Sequence, residues 1–195
     1  MANWAFIDAS NLFYGGVKSL GWSVDYKKLL KYLRSKYKIS KAFYYAGVEL
    51  SGYKYSVLED MEIDLDKLLK YLINKNQIKN IQRVKFYQKL QKFGFNLVLK
   101  PVKIFKSKKK IERKANCDVD LTFHLMRFKD RYKKVLILSG DGDFVIVLKY
   151  LQTIGKKVQV LARAERTARE IKQLVGGDFR DFVRLRNELE FKAKK

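Results

Sequence analysis

Three short acidic motifs hold the residue types able to do chemistry: Asp8-Ala9-Ser10-Asn11, Asn116-Cys117-Asp118-Val119-Asp120-Leu121 and Ser139-Gly140-Asp141-Gly142-Asp143-Phe144. Carboxylates brought together raise one another's pKa, so gathering them is unfavourable without a counter-charge. A divalent cation reverses that cost. Several Asp oxygens, completed by water and substrate phosphate oxygens, are the hard donors that Mg²⁺ or Mn²⁺ takes. Such a cation can activate a water and stabilise the charge that develops on a phosphodiester. Asp8, Asp118, Asp141 and Asp143 are the candidate catalytic and metal-holding residues. Each motif also suits a plainer role, since Asp after a strand is a good helix N-cap and Asp143 before Phe144 fits one.

Spacing sorts the remaining polar residues. Asp118 and Asp120 open a helix, and two residues are about 200° apart around its axis. The apolar face there is Leu121, Leu125 and Phe128, and Asp118 lies nearer to it. Asp118 is therefore the expected ligand, and Asp120 supports it or caps the helix. Asn11 is placed to hydrogen-bond a phosphate or a metal-coordinated water, or to act as another cap. The glycines flanking Asp141 let the backbone turn tightly off a strand and let a ligand approach.

The elements that position these motifs alternate along the chain. Apolar runs predict strands at Trp4 to Ile7, Ala42 to Val48, Val135 to Leu138 and Val158 to Leu161. Phe95 to Leu99 and Val102 to Phe105 read as one more strand, bent at Pro101. Helical spacing predicts helices over Tyr26 to Tyr37, Met61 to Ile73, Ile81 to Phe93 (ended by Gly94), Asp118 to Phe128, Phe144 to Ile154 and Glu165 to Val175. Near-continuous apolar strands separated by helices predict an α/β fold with a mainly parallel central sheet covered on both faces. In such sheets chemistry gathers beyond the C-terminal strand ends, where Asp8 and the Ser139 motif stand.

Composition sets the class of partner. The chain has 195 residues, 43 Lys+Arg against 20 Asp+Glu, and a formal net charge of +23. At 47% hydrophobic and 14% aromatic it has the apolar content of a folded domain rather than a disordered chain. No apolar run reaches membrane-span length, and the N-terminus lacks a signal-peptide cleavage pattern. One cysteine, Cys117, excludes an internal disulfide framework and a multi-Cys zinc site, so the expected location is a reducing cytoplasm. The charge points first to nucleic acid and second to an anionic membrane surface. With no repeat and no linker, one domain is expected over residues 1–185, followed by a basic C-terminal tail over 186–195.

At these motifs the sequence resembles the NYN domain, a family that includes the LabA-like proteins and belongs to the PIN-like nuclease group. The resemblance rests on DASN after the first strand, CDVDL opening a helix, LSGDGDF after a strand followed by LQTIGKKVQV, and the ending Gly177-Asp178-Phe179-Arg180-Asp181-Phe182. It covers about Asn3 to Leu185, and SGDGDF is its most specific part. It implies a Rossmann-like three-layer α/β/α sandwich and a ribonuclease site dependent on Mg²⁺ or Mn²⁺. The family's acidic positions fall on Asp8, Asp118, Asp141 and Asp143, with Asn11 and Ser139 as polar support. Phe95 to Lys114 is richer in lysine than the family pattern.

Two basic sets are the expected nucleic-acid contacts. Lys106, Lys108, Lys109, Lys110, Arg113 and Lys114 crowd the segment before Asp118, alongside Lys100 and Lys103, with Lys106 to Lys110 expected as an exposed turn. Arg163, Arg166 and Arg169, with Lys172, lie near the last strand–helix junction. Such side chains neutralise phosphates and hold a strand across the acids. Tyr14 and Trp22 are candidates to stack on unpaired bases, although aromatics at these spacings also serve the core. His124, beside the Leu121/Leu125 face, reads as a core or boundary histidine, and Cys117 as a buried thiol. There is no GxxxxGK[ST] loop, no GxGxxG and no His-based triad.

The reading is a metal-dependent ribonuclease acting on single-stranded or structured RNA, as a monomer or an oligomer. The alternative is an RNA-binding module of the same fold with little or no catalysis. A haloacid-dehalogenase-type phosphatase would want a second Asp where Ser10 stands, and a Toprim-type site a Glu where Asp8 stands.

Overall fold

A computed structural model describes residues 2–13, 19–59, 62–106 and 111–192. Its centre is a parallel sheet in which strand β1 (Ala2–Asp8) pairs with β2 (Ile39–Val48) on one side and with β6 (Tyr132–Leu138) on the other. Outward from β2 lies β3 (Asn96–Pro101). Outward from β6 lie β7 (Lys157–Ala162) and β8 (Phe179–Asp181). All five pairings are parallel, in the order β3-β2-β1-β6-β7-β8.

Alternation along β1 explains the layers. Ala5 and Ile7 belong to one buried cluster, Trp4 and Phe6 to the other. The first cluster is covered by α1 (Ala9–Leu12), α2 (Tyr26–Tyr37), α3 (Leu65–Asn74), α4 (Ile78–Phe93) and α8 (Arg186–Leu189), through Leu12, Leu29, Leu33, Leu68, Tyr87 and Leu189. The second is covered by α5 (Asp118–Arg127), α6 (Val145–Thr153) and α7 (Arg169–Val175), through Leu121, Leu148 and Ile171. The result is the expected three-layer α/β/α sandwich. No helix among the described residues is long and apolar enough to cross a membrane.

Several boundaries differ from expectation, each for a local reason. Asp64 accepts from the backbone N–H of Asp66 and Lys67, so α3 begins at Leu65 rather than near Met61, which lies outside the described residues. The strand expected to bend at Pro101 is two strands in two sheets. Pro101 ends β3 at the sheet edge opposite Val48, where its missing N–H costs no ladder bond. Val102 then donates to the Val48 carbonyl at 2.9 Å. From there the chain leaves the sheet and forms an antiparallel hairpin of β4 (Lys103–Lys106) and β5 (Ile111–Lys114). Short 3₁₀ turns, Gly142–Phe144 and Ala164–Arg166, precede α6 and α7, which therefore start later than their apolar spacing suggests. Strand β8 was not expected at all. Residues 186–192, expected within the tail, pack on the domain: Leu189 is fully buried, its carbonyl accepts from Asp25 N–H at 2.8 Å, and Phe191 N–H donates to Ser23.

Candidate active site

The sheet order locates the site. From β1 the chain builds outward through β2 and β3, then returns to β6 on the opposite side of β1 and builds outward through β7 and β8. The reversal between β1 and β6 opens a crevice at their C-terminal ends, as in other doubly wound sheets. Ile7 is in register with Leu138, so the residues that follow, Asp8 at the end of β1 and Ser139 just beyond β6, stand side by side.

Asp8 is 4% exposed and both its oxygens are engaged. Oδ1 accepts from Asn11 N–H at 3.0 Å, which caps α1, and Oδ2 accepts from Ser139 Oγ at 3.0 Å. Burial pushes its pKa up, opposed by those hydrogen bonds and assisted by the charge of Asp141. Asn11 Oδ1 accepts from Gly140 N–H at 2.9 Å, so this side chain ties the first motif to the third. Ser139 Oγ also accepts from Asp141 N–H at 3.3 Å, and Asp141 Oδ1 caps the following turn through Asp143 N–H at 3.1 Å. Gly140 is required by a close approach: a Cβ there would lie 2.6 Å from Thr167 Oγ1 and 2.8 Å from Thr167 Cα.

The capping role and the gathering of charge coexist. Asp118, Asp141 and Asp143 each offer one carboxylate oxygen, and the three oxygens lie within 4.8 Å of one another. Three hard anionic donors converging from two elements suit Mg²⁺ or Mn²⁺. The Asp118 pKa is raised by burial first, then by the charges of Asp8, Asp141 and Asp143. Asp8, expected as a fourth ligand, lines the same cleft as Asp118 and Asp141, with both oxygens already hydrogen-bonded. Asp120 turns away from it, as the helical geometry required, and pairs with Lys100 Nζ at 2.6 Å.

The cleft has a volume of about 720 Å³, with Asp8, Asp118 and Asp141 on its acidic side. Tyr26, Tyr44, Tyr87, Arg83 and Arg113 line it as well, and of these the sequence singled out Arg113 alone. Tyr26, Tyr44 and Tyr87 are kept neutral by burial, and Tyr87 donates to the Gly47 carbonyl at 2.6 Å.

The expected strand-holding residues fare unequally. Arg163 is 3% exposed, a buried arginine that donates to Ser19 Oγ and the Ser19 carbonyl and pairs with Glu165. Arg166 also donates to Ser19 Oγ, at 2.9 Å, and Lys172 donates to the Ala164 carbonyl. These contacts brace the turn after β7, and burial corrects Arg163 as a primary phosphate contact, while Arg166 is exposed beside it. Arg169 is exposed. Arg113 is exposed in β5 and pairs with Glu49 at 3.1 Å. Lys106 and Lys114 stand on the hairpin strands, Lys106 opposite Ile111 and Lys114 opposite Lys103. Lys108, Lys109 and Lys110 lie outside the described residues, as does Tyr14. Trp22 is 4% exposed and stacks on Phe182 with ring planes 8° apart, so it is a core residue rather than a base platform. His124 sits at the core boundary, hydrogen-bonded to the Tyr45 hydroxyl at 2.9 Å, as its position implied.

The chain is similar to several known proteins. The NYN domain family matches residues 4–181. The chain is 23% identical over 186 residues to the low amplitude and bright protein LabA of Synechococcus elongatus, covering 91% of this chain and 85% of that one. Among solved structures, a Vibrio parahaemolyticus protein of unknown function superposes with a TM-score of 0.60 at 20% identity, covering 90% of each chain. A mutant of the T5 5'-exonuclease superposes with a TM-score of 0.46 at 15% identity, covering 89% of this chain and 56% of that one.

Proposed function

The chain belongs to the NYN domain family, and we propose that it is a ribonuclease, hydrolysing phosphodiester bonds of single-stranded or structured RNA with Mg²⁺ or Mn²⁺ held by its Asp cluster. The observation that carries this reading is the convergence of the Asp118, Asp141 and Asp143 oxygens at the C-terminal edge of the sheet. Gathering acids there raises the Asp118 pKa, a cost that a bound cation offsets.

Asp118, Asp141 and Asp143 would hold the cation, and Asp8 adds its charge from beside them. When bound, the cation would supply Lewis acidity at the phosphate oxygens and make a coordinated water more acidic than bulk water. The chain supplies rigidity. Ser139 and Asn11 lock the β1 and β6 ends together, and Gly140 allows the turn after β7 to close against them. That preorganisation holds the carboxylates where charge is to be neutralised, without movement during reaction. The basic exterior draws in the polyanion. The single buried thiol fits a reducing, cytoplasmic setting.

The test is a labelled single-stranded RNA incubated with Mg²⁺ or Mn²⁺, with EDTA and Asp141→Asn as controls. Cleavage is expected with metal and lost in both controls. Equal cleavage by Asp141→Asn would contradict the assignment, and tight RNA binding with no metal-stimulated turnover would favour a binding module.

A further inference from the structure

Helix α4 opens in an electrostatically unfavourable way. Its first turn contains no acid, and Gln77 makes no side-chain cap. By contrast α2 and α3 are capped by Asp25 and Asp64. Lys79 instead stands in the first turn of α4, where a cation opposes the helix dipole, and Arg83 follows four residues on, so the two cations repel each other. Arg83 has no ion-pair partner among the described residues. Its guanidinium lies 5.9 Å from the Tyr87 ring centroid, a cation–π contact that orients it.

Both side chains border open space. Arg83 and Arg113 line the acidic cleft, and the same two residues, with Lys79 and Asn80, line an adjoining recess of about 400 Å³. Cleft and recess share Gly47 as well, so they adjoin as two halves of one trough along Arg83 and Arg113. Its floor is tightly packed, because a Cβ on Gly47 would sit 2.5 Å from Ala115 Cβ and 2.9 Å from Val102 Cγ2. Glu49 lines the recess and pairs with Arg113, which leaves three cations facing one carboxylate.

We propose that this trough is a phosphate-binding subsite, in which Arg83 and Lys79, with Arg113, hold a neighbouring phosphate of the nucleic-acid strand whose scissile phosphate lies at Asp118, Asp141 and Asp143. The proposal rests on the nuclease reading above and adds to it the side of the acidic cluster along which the strand runs. A bound phosphate supplies the negative charge that the α4 N-terminus lacks, and receives the charged hydrogen bonds that Arg83 makes with no carboxylate. The neutral phenols of Tyr26, Tyr44 and Tyr87 line the route without repelling it.

The experiment is fluorescence anisotropy of a short labelled single-stranded RNA and its DNA counterpart, in EDTA, so that binding is read without turnover. The double substitution Arg83→Gln with Lys79→Gln is compared with Lys36→Gln with Lys133→Gln, which removes the same charge at the opposite edge of the sheet. The trough variant is expected to bind about tenfold or more weakly, with a log Kd against log salt slope shallower by about 1.4 for two lost phosphate contacts. The control variant should stay within about twofold of the wild type. Equal affinity and slope in the trough variant and the control would overturn the subsite while leaving the nuclease reading standing. Failure of the wild-type protein to bind either oligonucleotide would overturn both.

Discussion

Ser139 Oγ donates to Asp8 Oδ2 at 3.0 Å, joining two residues 131 positions apart at the ends of adjacent central strands. The same hydroxyl accepts from Asp141 N–H, so one small side chain links the buried acid of the first motif to the acidic turn of the third. Ser139→Ala should remove both contacts and leave a buried carboxylate oxygen unpaired, at a cost of about 1–3 kcal/mol in urea unfolding. The loss should depend on pH. The folded-state pKa of Asp8 is already raised, so its folding contribution weakens as pH rises from the unfolded value of 3.8 through the folded one. Removing a hydrogen bond that lowers that pKa widens the window. In EDTA, the variant should therefore lose more stability than wild type between pH 4 and pH 7.

Gly140→Ala tests the close approach behind the cluster. The added Cβ meets Thr167 Cα at 2.8 Å and the Arg166 carbonyl at 3.0 Å, both backbone atoms that cannot swing aside. The turn after β7 must move, and with it the hydrogen bond from Ala168 N–H to the Gly140 carbonyl. A destabilisation of about 1–3 kcal/mol is expected, with a fall in metal-dependent cleavage. Unchanged melting temperature and rate would show that the turn does not brace the site.

Asp118 and Asp120 separate function from surface pairing within one helix turn. Asp118→Asn removes a cluster oxygen and should lower cleavage by about 100-fold or more, by analogy with the loss of one electrostatic contact to a transition state. Asp120→Asn breaks a half-exposed ion pair with Lys100, and such pairs are worth at most about 1 kcal/mol. Its rate should fall no more than a few-fold. Comparable losses in the two variants would place Asp120 at the chemistry.

Much of this arrangement is legible in the sequence, for physical reasons. The C-terminal halves of β1 and β6 are continuous apolar runs because both faces are covered by helices, and the acids at or just beyond their ends mark the crevice. The wheel geometry of α5 correctly separates Asp118 from Asp120. Strand β8 is only Phe179–Asp181, too short to show a period, and is a strand because β7 offers it an open edge. Arg163 reads as a surface base, yet its partner Ser19 is 144 residues away and invisible to local pattern. Lys79 and Arg83 escape notice because α4 carries five lysines and arginines along its length, so spacing does not reveal which of them face a cleft.

Cys117 should be chemically inert in the folded protein. Burial pushes its thiol up to about 12, and the charges of Asp120, Asp8 and Asp118 add to the effect. At pH 8 the reactive thiolate is then a fraction on the order of one in ten thousand. A disulfide-exchange reagent should label no thiol in the native chain and one after denaturation. Rapid native labelling would show that the cleft opens beside Asp118.

Asp118, Asp141 and Asp143 are expected to share a divalent cation, and Mn²⁺ binding followed by electron paramagnetic resonance reads this out. Loss of the free Mn²⁺ signal is expected on titration with wild-type protein, and not with a folded variant carrying Asp141→Asn and Asp143→Asn. Equal depletion of the signal by the two proteins would contradict the claim.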